Sequence, residues 1–273
     1  MEEAALEWAQ GTADGAKLAT SSASKFAEVS YSMLSAGLDA EQGISATQNA
    51  LILAKATMGD ASEAGNLLAT VYNNMGDKSA DVSTEMTHLS DVLAKTQGYF
   101  QISNLGQLNE GLKYAIPVAQ QFGMSLTELT SVVGQLNTAG LQGSMAGTAL
   151  GSMMNKLHDA AGKLDFEIAY DDSGGVKMID TLLNIQDQYG PIQEWNTDTK
   201  LAFQKAFGQE GVRAVTLLQS SLGDLSTAYN EIDQANGAAA EMAGKMSDTF
   251  EDKMTRLQNA SEAFQTRIGD DMN

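Results

Sequence analysis

The chain has 273 residues, of which 43% are hydrophobic and 19% charged, a composition typical of a folded protein rather than a disordered one. Its 35 acidic and 16 basic residues give a formal net charge of −19, which disfavours binding to nucleic acid and to anionic membrane surfaces. With no cysteine, neither a disulfide framework nor a thiolate metal site can form. No apolar run approaches the roughly 20 residues that span a bilayer, so no membrane span is predicted.

The pattern of apolar residues predicts a mainly α-helical protein. Only Pro117 and Pro191 could interrupt helices, and helix-favouring residues are abundant. Residues 1–36 are predicted to form an N-terminal helical stalk, residues 37–237 a helical core, and residues 238–273 a long amphipathic helix with a near-heptad stripe. We therefore expect a multi-helix bundle of short helices that end at glycines, with long helices at both termini.

Glycines recur at matching intervals in two parts of the predicted core. The interval from Gly59 to Gly76 equals that from Gly123 to Gly140, and an Asp or Ser that can cap the next helix follows the first glycine of each pair. We interpret the two parts as diverged copies of a helix–turn–helix unit, although any glycine-capped helical protein can show such coincidences. Each copy has an apolar stripe that we expect the other copy to cover. In the second copy the stripe comprises Leu126, Leu129, Val132, Val133 and Leu136.

A second set of glycines lies on one face of a predicted helix. Gly143, Gly147 and Gly151 are spaced four residues apart. In a membrane this spacing would indicate a helix-dimer interface, but the neighbouring residues are too polar for a membrane helix. The glycines therefore predict close packing against another helix in water. Each glycine inside a helix costs about 1 kcal/mol relative to alanine.

The periodicity changes at Leu164. Residues 164–170 alternate between apolar and polar, the turn sequence DDSGG follows, and the apolar residue Val176 comes next. This is the one strand signal in the chain, and it predicts a small β-hairpin near 164–178.

Residue types that could carry catalysis or bind metal are sparse. His88 and His158 are the only histidines, and neither belongs to a metal or catalytic motif. The acidic residues near the predicted hairpin do not form a calcium loop, because Leu182 stands where such a loop needs a glutamate. These acidic residues are Asp165, Glu167, Asp171 and Asp172. We predict no catalytic, cofactor-binding or metal-binding residue, no cofactor and no enzymatic activity. Paired carboxylates of the glycosidase kind stay open as an alternative.

Five blocks in chain order resemble the core of phage tail tape measure proteins of the TP901 type, over about residues 35–250. The most characteristic block runs from Met86 to Leu157. Within it, from Leu105 to Met153, two helical segments meet at a glycine and a Gly-rich turn leads to a third. The other four blocks are GLDAEQGISATQNALILAKATMGD, FEIAYDDSGGVKMIDTLLNIQDQYG, LAFQKAFGQEGVRAVTLL and NGAAAEMAGKMSDTFEDKMTRLQ.

The resemblance implies a structural protein of a phage or prophage tail. Such a protein scaffolds tail tube assembly, determines tail length and is expelled during genome ejection. The implied partners are tail tube, tail initiator or baseplate, and tail assembly chaperone proteins, with self-association through the terminal helices as a further contact. No direct nucleic-acid binding is expected. The implied location is the virion tail and, during assembly, the host bacterial cytoplasm.

The chain is shorter than the members of this family that it resembles. We therefore expect an excised core fragment, with an intact short homologue as the alternative. The alternative function is that of a helical secreted effector or interaction module.

Overall fold

The computed structural model describes residues 2–10 and 21–247. Within these residues the chain forms twelve α-helices, one short 3-10 helix and no strand, so the prediction of a mainly α-helical protein is confirmed. None of these helices is long and apolar enough to cross a membrane. Contacts divide the chain into unit 1, residues 1–95 and 235–273, and unit 2, residues 96–234. The domain boundaries predicted at 36/37 and 237/238 stay a prediction.

Unit 1 contains the first four helices, most of the fifth and the last. They are α1 (Glu2–Ala9), α2 (Ala23–Ser35), α3 (Ala40–Ala56), α4 (Ala61–Met75), α5 (Val82–Tyr99) and α12 (Ala238–Met246). α3 packs against α2, α4 and α12, and α1 packs on α2. Trp8, Phe26 and Met33 are completely buried in this core, with the rings of Trp8 and Phe26 5.7 Å apart. The predicted N-terminal stalk thus contains α2, which is part of the core of unit 1.

Glycine ends only some of the helices. Gly37, Gly123 and Gly140 adopt positive φ angles of 95°, 66° and 95° just beyond α2, α6 and α7. Just beyond α3 the residue with a positive φ angle is Met58 (51°), and just beyond α8 it is Asp165 (59°). A general rule of glycine-capped helices is therefore wrong, because a left-handed residue at a helix end can also be a methionine or an aspartate here.

A buried carboxylate on α5 joins the two sequence-distant parts of unit 1. Asp91 accepts hydrogen bonds from the backbone N–H groups of Gly237 (2.7 Å) and Ala239 (2.9 Å) at the start of α12. Its side chain is 4% exposed. A negative group at this position satisfies otherwise unpaired N–H groups and complements the positive end of the helix dipole. Asp91 is therefore a cap for α12 supplied from a distant part of the chain.

Replacing Asp91 with alanine is expected to lower the free energy of unfolding by about 1–3 kcal/mol, because two buried N–H groups lose their acceptor. Asp91→Asn keeps one acceptor oxygen and should lose less. Urea unfolding followed by circular dichroism measures both variants. The control is Asp187→Ala on an exposed face of α9, which should stay within about 0.5 kcal/mol of the wild type. Equal losses for Asp91→Ala and Asp187→Ala would contradict the capping role.

Unit 2 is arranged around one helix. Its helices are α6 (Leu105–Gln121), α7 (Leu126–Thr138), α8 (Ser144–Leu164), α9 (Met178–Tyr189), the 3-10 helix (Ile192–Glu194), α10 (Thr197–Ser220) and α11 (Leu222–Asp233). Every residue of α7 from Leu126 to Asn137 is buried, and α6, α8, α10 and α11 all pack on it. The apolar stripes predicted to cover each other across the two copies are instead covered within their own units. In unit 1 the neighbours of α4 are α2 and α3.

Glycines allow α8 to approach its neighbours closely, as predicted. A Cβ at Gly147 would lie 2.8 Å from the Cβ of Tyr114 on α6 and closer still to the carbonyl oxygen of Gly111. Similarly, a Cβ at Gly211 on α10 would lie 3.2 Å from the Cα of Met153 on α8. Backbone-to-backbone contact of this kind requires a residue without a side chain.

Gly147→Ala is expected to destabilise the protein by about 1–3 kcal/mol, because the added methyl group must push α6 and α8 apart. The matched control is Gly162→Ala in the same helix, where a Cβ would meet nothing within 4 Å. That control should stabilise by roughly 0.5–1 kcal/mol through helix propensity alone. Thermal unfolding compares the two variants, and a shift of the same sign for both would show that the close approach does not matter.

The hairpin predicted near 164–178 is not formed. In the described part of the chain this region has one isolated antiparallel bridge, between Tyr170 and Val176. Two backbone hydrogen bonds flank this bridge, from the N–H of Asp171 to the carbonyl of Gly175 (2.8 Å) and from the N–H of Lys177 to the carbonyl of Ala169 (2.9 Å). The N–H of Val176 donates to the carbonyl of Phe122 (2.8 Å), and the N–H of Ala169 donates to the hydroxyl of Thr181 (3.0 Å). The segment therefore pairs with itself only around this one bridge, and its other bonds attach it to the end of α6 and to α9.

Candidate functional site

The two histidines belong to different units. His88 is exposed on α5. His158 is exposed on α8, its Nε2 lies 2.9 Å from the hydroxyl of Tyr170, and its ring stacks on Phe122 at 5.7 Å. No group of three or more His, Asp or Glu side chains could hold a metal ion within the described residues. The predicted absence of catalytic, cofactor and metal sites stays a prediction.

The acidic residues near the predicted hairpin have local structural roles. The Oδ1 atom of Asp171 accepts hydrogen bonds from the hydroxyl of Ser173 (2.7 Å) and from the N–H groups of Ser173 and Gly175 (2.8 Å each). These bonds, the hydroxyl bond above all, hold the pKa of Asp171 below its usual value. Asp165 ends α8 with a left-handed backbone. The carboxylate of Asp171 and the backbone of Asp165 thus shape the segment that carries the chain from α8 to α9.

A polar pocket of about 360 Å³ lies among α7, α9 and α11 of unit 2. Its charged and titratable lining residues come from these helices and the turn before α9. They are Glu128, Asp171, Lys177, Asp180 and Tyr229. Lys177 and Asp180 form an ion pair with each other, which raises the pKa of Lys177. The positive charge nearest to the pocket is therefore already paired with a carboxylate.

Glu128 is the buried acid of this pocket. It lies in the first turn of α7, is 6% exposed, and accepts a hydrogen bond from the N–H of Ile179 (2.9 Å) in the first turn of α9. Burial raises its pKa to about 7, while the backbone N–H groups of Ile179 and Met178 partly oppose this shift. Glu128 therefore links two helix starts and changes its charge near neutral pH. The sequence pattern marked Glu128 only as a helix-capping residue three positions after Ser125, not as a buried acid.

We expect Glu128 to make the folded state less stable as the pH rises. In the unfolded chain its pKa is near 4.5, so between pH 4.5 and about 7 the folded state binds more protons than the unfolded state. The contribution of Glu128 to the free energy of unfolding therefore falls through this window, by about 3 kcal/mol at most. Urea unfolding from pH 4.5 to 8 should show this component in the wild type and not in Glu128→Gln.

The comparison with Glu128→Gln separates this effect from that of the other carboxylates. The control variant is Glu110→Gln on the exposed surface of α6, whose difference from the wild type should not vary with pH. If the difference between the wild type and Glu128→Gln were equally constant, the buried acid would not titrate in this range.

A groove of about 410 Å³ lies where α10 bends at Gly208. The bend arises because Gly208 has φ 71° and ψ −177°, which no helical residue adopts. Side chains from both halves of α10 and from the segment before it line the groove. They include Ile192, Trp195, Lys200, Phe203, Val212 and Thr216. The groove is thus mainly apolar, with aromatic rings in its floor.

The floor of the groove is rigidly packed. The rings of Trp195 and Phe203 lie 4.2 Å apart, and Phe203 stacks on Phe207 at 6.0 Å. The indole N–H of Trp195 donates to the carbonyl of Gly190 (2.9 Å). Phe203 and Phe207 are completely buried. The groove floor is therefore held in place from below by an aromatic cluster.

A second hollow of about 340 Å³ lies on the other side of the second half of α10. It shares Val212 and Thr216 with the groove, so the two are adjacent. Leu141, Arg213 and Leu217 also line it. Sequence periodicity could not identify this surface, because it depends on the angle between two helix halves.

Comparison with known proteins gives a consistent result. Residues 2–272 match the model of a family described as phage-related minor tail protein. The chain is 29% identical over 207 residues to the "Probable tape measure protein" of Escherichia phage P2, which covers 72% of this chain and 25% of that protein. It is 24% identical over 257 residues to the "Tape measure protein" of Pneumococcus phage Dp-1, and this alignment covers 91% of this chain and 22% of that protein. The chain spans about a quarter of the length of these relatives. No solved structure gives a significant match.

Proposed function

Because this chain belongs to the phage-related minor tail protein family, we propose that it acts as part of a tail tape measure protein. The observation that carries the proposal is that two relatives named as tape measure proteins align with 72% and 91% of the chain. In this role the chain scaffolds assembly of the tail tube, contributes to tail length determination and is expelled during genome ejection. It resides in the virion tail and, while tails assemble, in the host bacterial cytoplasm.

The described helices support a role through protein contacts rather than through chemistry. Each unit covers the apolar faces of its own helices, and the bent α10 leaves an apolar groove for a partner. Tail tube, tail initiator or baseplate, and tail assembly chaperone proteins are the proposed partners, together with self-association through the terminal helices. The net charge of −19 disfavours binding to DNA, so a genome that passes through the same tail would not be retained.

Packing within the units also bears on how length is measured. A continuous helix extends about 1.5 Å per residue, whereas helices that fold back on one another extend far less. The short helices of units 1 and 2 therefore suit docking better than measurement. We propose that tail length is measured mainly by regions of a tape measure protein other than those that this chain matches in its relatives.

A pair of matched variants tests whether this fold is needed for tail assembly. In the phage or prophage that encodes the chain, Gly147→Leu should leave few or no normal tails, because the leucine side chain cannot fit between α6 and α8. Gly162→Leu, at an open position of the same helix, should give tails of normal number and length. Negative-stain electron microscopy counts and measures the tails.

Mass spectrometry of purified tails provides a second measurement. The chain should be present in assembled tails of the wild type and of Gly162→Leu. Normal tails from Gly147→Leu, or tails that lack the chain altogether, would contradict the proposed function.

A further inference from the structure

We infer that the bent α10 of unit 2 is a docking site for an acidic amphipathic helix of another protein. The site consists of the groove at Gly208 and the adjacent hollow that shares Val212 and Thr216 with it; we call it the α10 groove. The inference deepens the proposed function, and it rests on that function for the view that the partner takes part in tail assembly.

The shape of the α10 groove suits a helix. The groove and the hollow have volumes of about 410 and 340 Å³ and lie on either side of the second half of α10. Helices that bind in grooves insert apolar side chains at intervals of three and four residues along one face. Two adjacent hollows can receive successive side chains of such a face. A rigid aromatic floor under Trp195 means that little order has to be created on binding.

Apolar side chains around the groove are incompletely covered. Val212 and Leu217, in the second half of α10, are half-buried although they line the groove and the hollow. Elsewhere on the same helix Phe203, Phe207 and Leu218 are fully buried. Half-buried apolar side chains that line two adjacent hollows are the kind of surface that an interaction site presents.

The charges at the α10 groove point to an acidic partner. Acidic residues outnumber basic ones 35 to 16 in the chain, yet the charged residues that line the groove and the hollow are Lys200 and Arg213. Lys200 is exposed and forms no ion pair with a described residue. Arg213 shares its charge with the exposed Glu210 at 3.2 Å. Carboxylates on both flanks of an apolar stripe could therefore pair with Lys200 and Arg213.

A further basic side chain lies at the bend. The amino group of Lys156, on α8, lies next to Gly208, and a side chain at position 208 would collide with it. The glycine therefore permits both the bend and the position of this charge. A second copy of the chain is the alternative occupant, and the oligomeric state distinguishes it. A separate protein with a local acidic helix fits the charge pattern better.

Binding is measured on the full chain with a designed probe. Trp8 and Trp195 are the two tryptophans, so Trp8→Phe leaves Trp195 in the groove as the fluorescent reporter. The probe is an 18-residue helical peptide with a leucine stripe at three- and four-residue intervals and glutamates on both flanks. The matched peptide keeps the stripe and carries lysines instead. The glutamate peptide should shift the Trp195 emission and bind at least about tenfold more tightly than the lysine peptide.

Charge reversal identifies the surface that is used. Lys200→Glu and Arg213→Glu should each weaken binding of the glutamate peptide by about tenfold and leave the unfolding curve unchanged. The control is Lys113→Glu on the exposed face of α6, which should bind like the parent. High salt should weaken the glutamate peptide more than the lysine peptide.

Three results would overturn the inference. They are equal binding of the two peptides, binding that is insensitive to Lys200 and Arg213, and a dimer of the chain that Lys200→Glu dissociates in light scattering. The last result would assign the α10 groove to a second copy. None of them alters the outcome expected for tails from Gly147→Leu and Gly162→Leu, so failure of the docking site is distinguishable from failure of the proposed function.

Discussion

A helix buried on every side is the constraint on which unit 2 depends. Because α7 has neighbours all round, its polar side chains must find hydrogen bonds without water. The hydroxyls of Thr130 and Ser131 do so by donating to the carbonyl of Thr127, at 3.1 and 2.7 Å. Gly134 makes room for the ring of Phe100, whose Cγ lies 2.8 Å from where a Cβ would be. Glu128, the one ionisable side chain of α7, lies in its first turn, where N–H groups of α9 can reach it.

Similarity between sequences, more than shape, connects this chain with phage tails. The helices add a physical account of how such a chain can hold together with few aromatic residues, which make up 6% of the total. Small residues such as Gly111, Gly147 and Gly211 bring backbones together, so that many weak dispersion contacts replace large side chains. An assembly protein built in this way keeps its apolar side chains inside and presents charge to its surroundings.

Sequence patterns predicted the helices well and predicted their surroundings less well. The alternation is real as a burial pattern only over 164–167, since Leu164 and Phe166 are buried whereas Tyr170 is 47% exposed. Periodicity reports which side chains avoid water, however, and it cannot tell which backbone groups pair. The two arms of the segment pair only beside Tyr170 and Val176, and the carbonyl of Phe122 and the hydroxyl of Thr181 accept other N–H groups of the segment. The sequence pattern therefore predicted a β-hairpin where the structure has a single isolated bridge.

The full burial of α7 was missed for a related reason. Its apolar stripe was recognised, but the burial of its polar residues, Thr130 and Ser131 among them, was not predicted. Hydroxyls that bond to the preceding turn of their own helix can be buried at little cost, and composition does not reveal that they do so. The α10 groove was equally hidden. It depends on the backbone angles of Gly208, and a glycine in a sequence permits many angles without specifying one.

The cap that Asp91 provides to α12 has a consequence for synthesis. The N–H group of Gly237 that it binds lies 146 residues further along the chain. A ribosome adds roughly 5–20 residues per second, so Asp91 and the face of α3 that α12 covers wait about 7–30 s for their partner. All of unit 2 leaves the ribosome within that interval. Unit 1 therefore closes only after the inserted unit has been made, and a chain released early would expose an incomplete core to quality control.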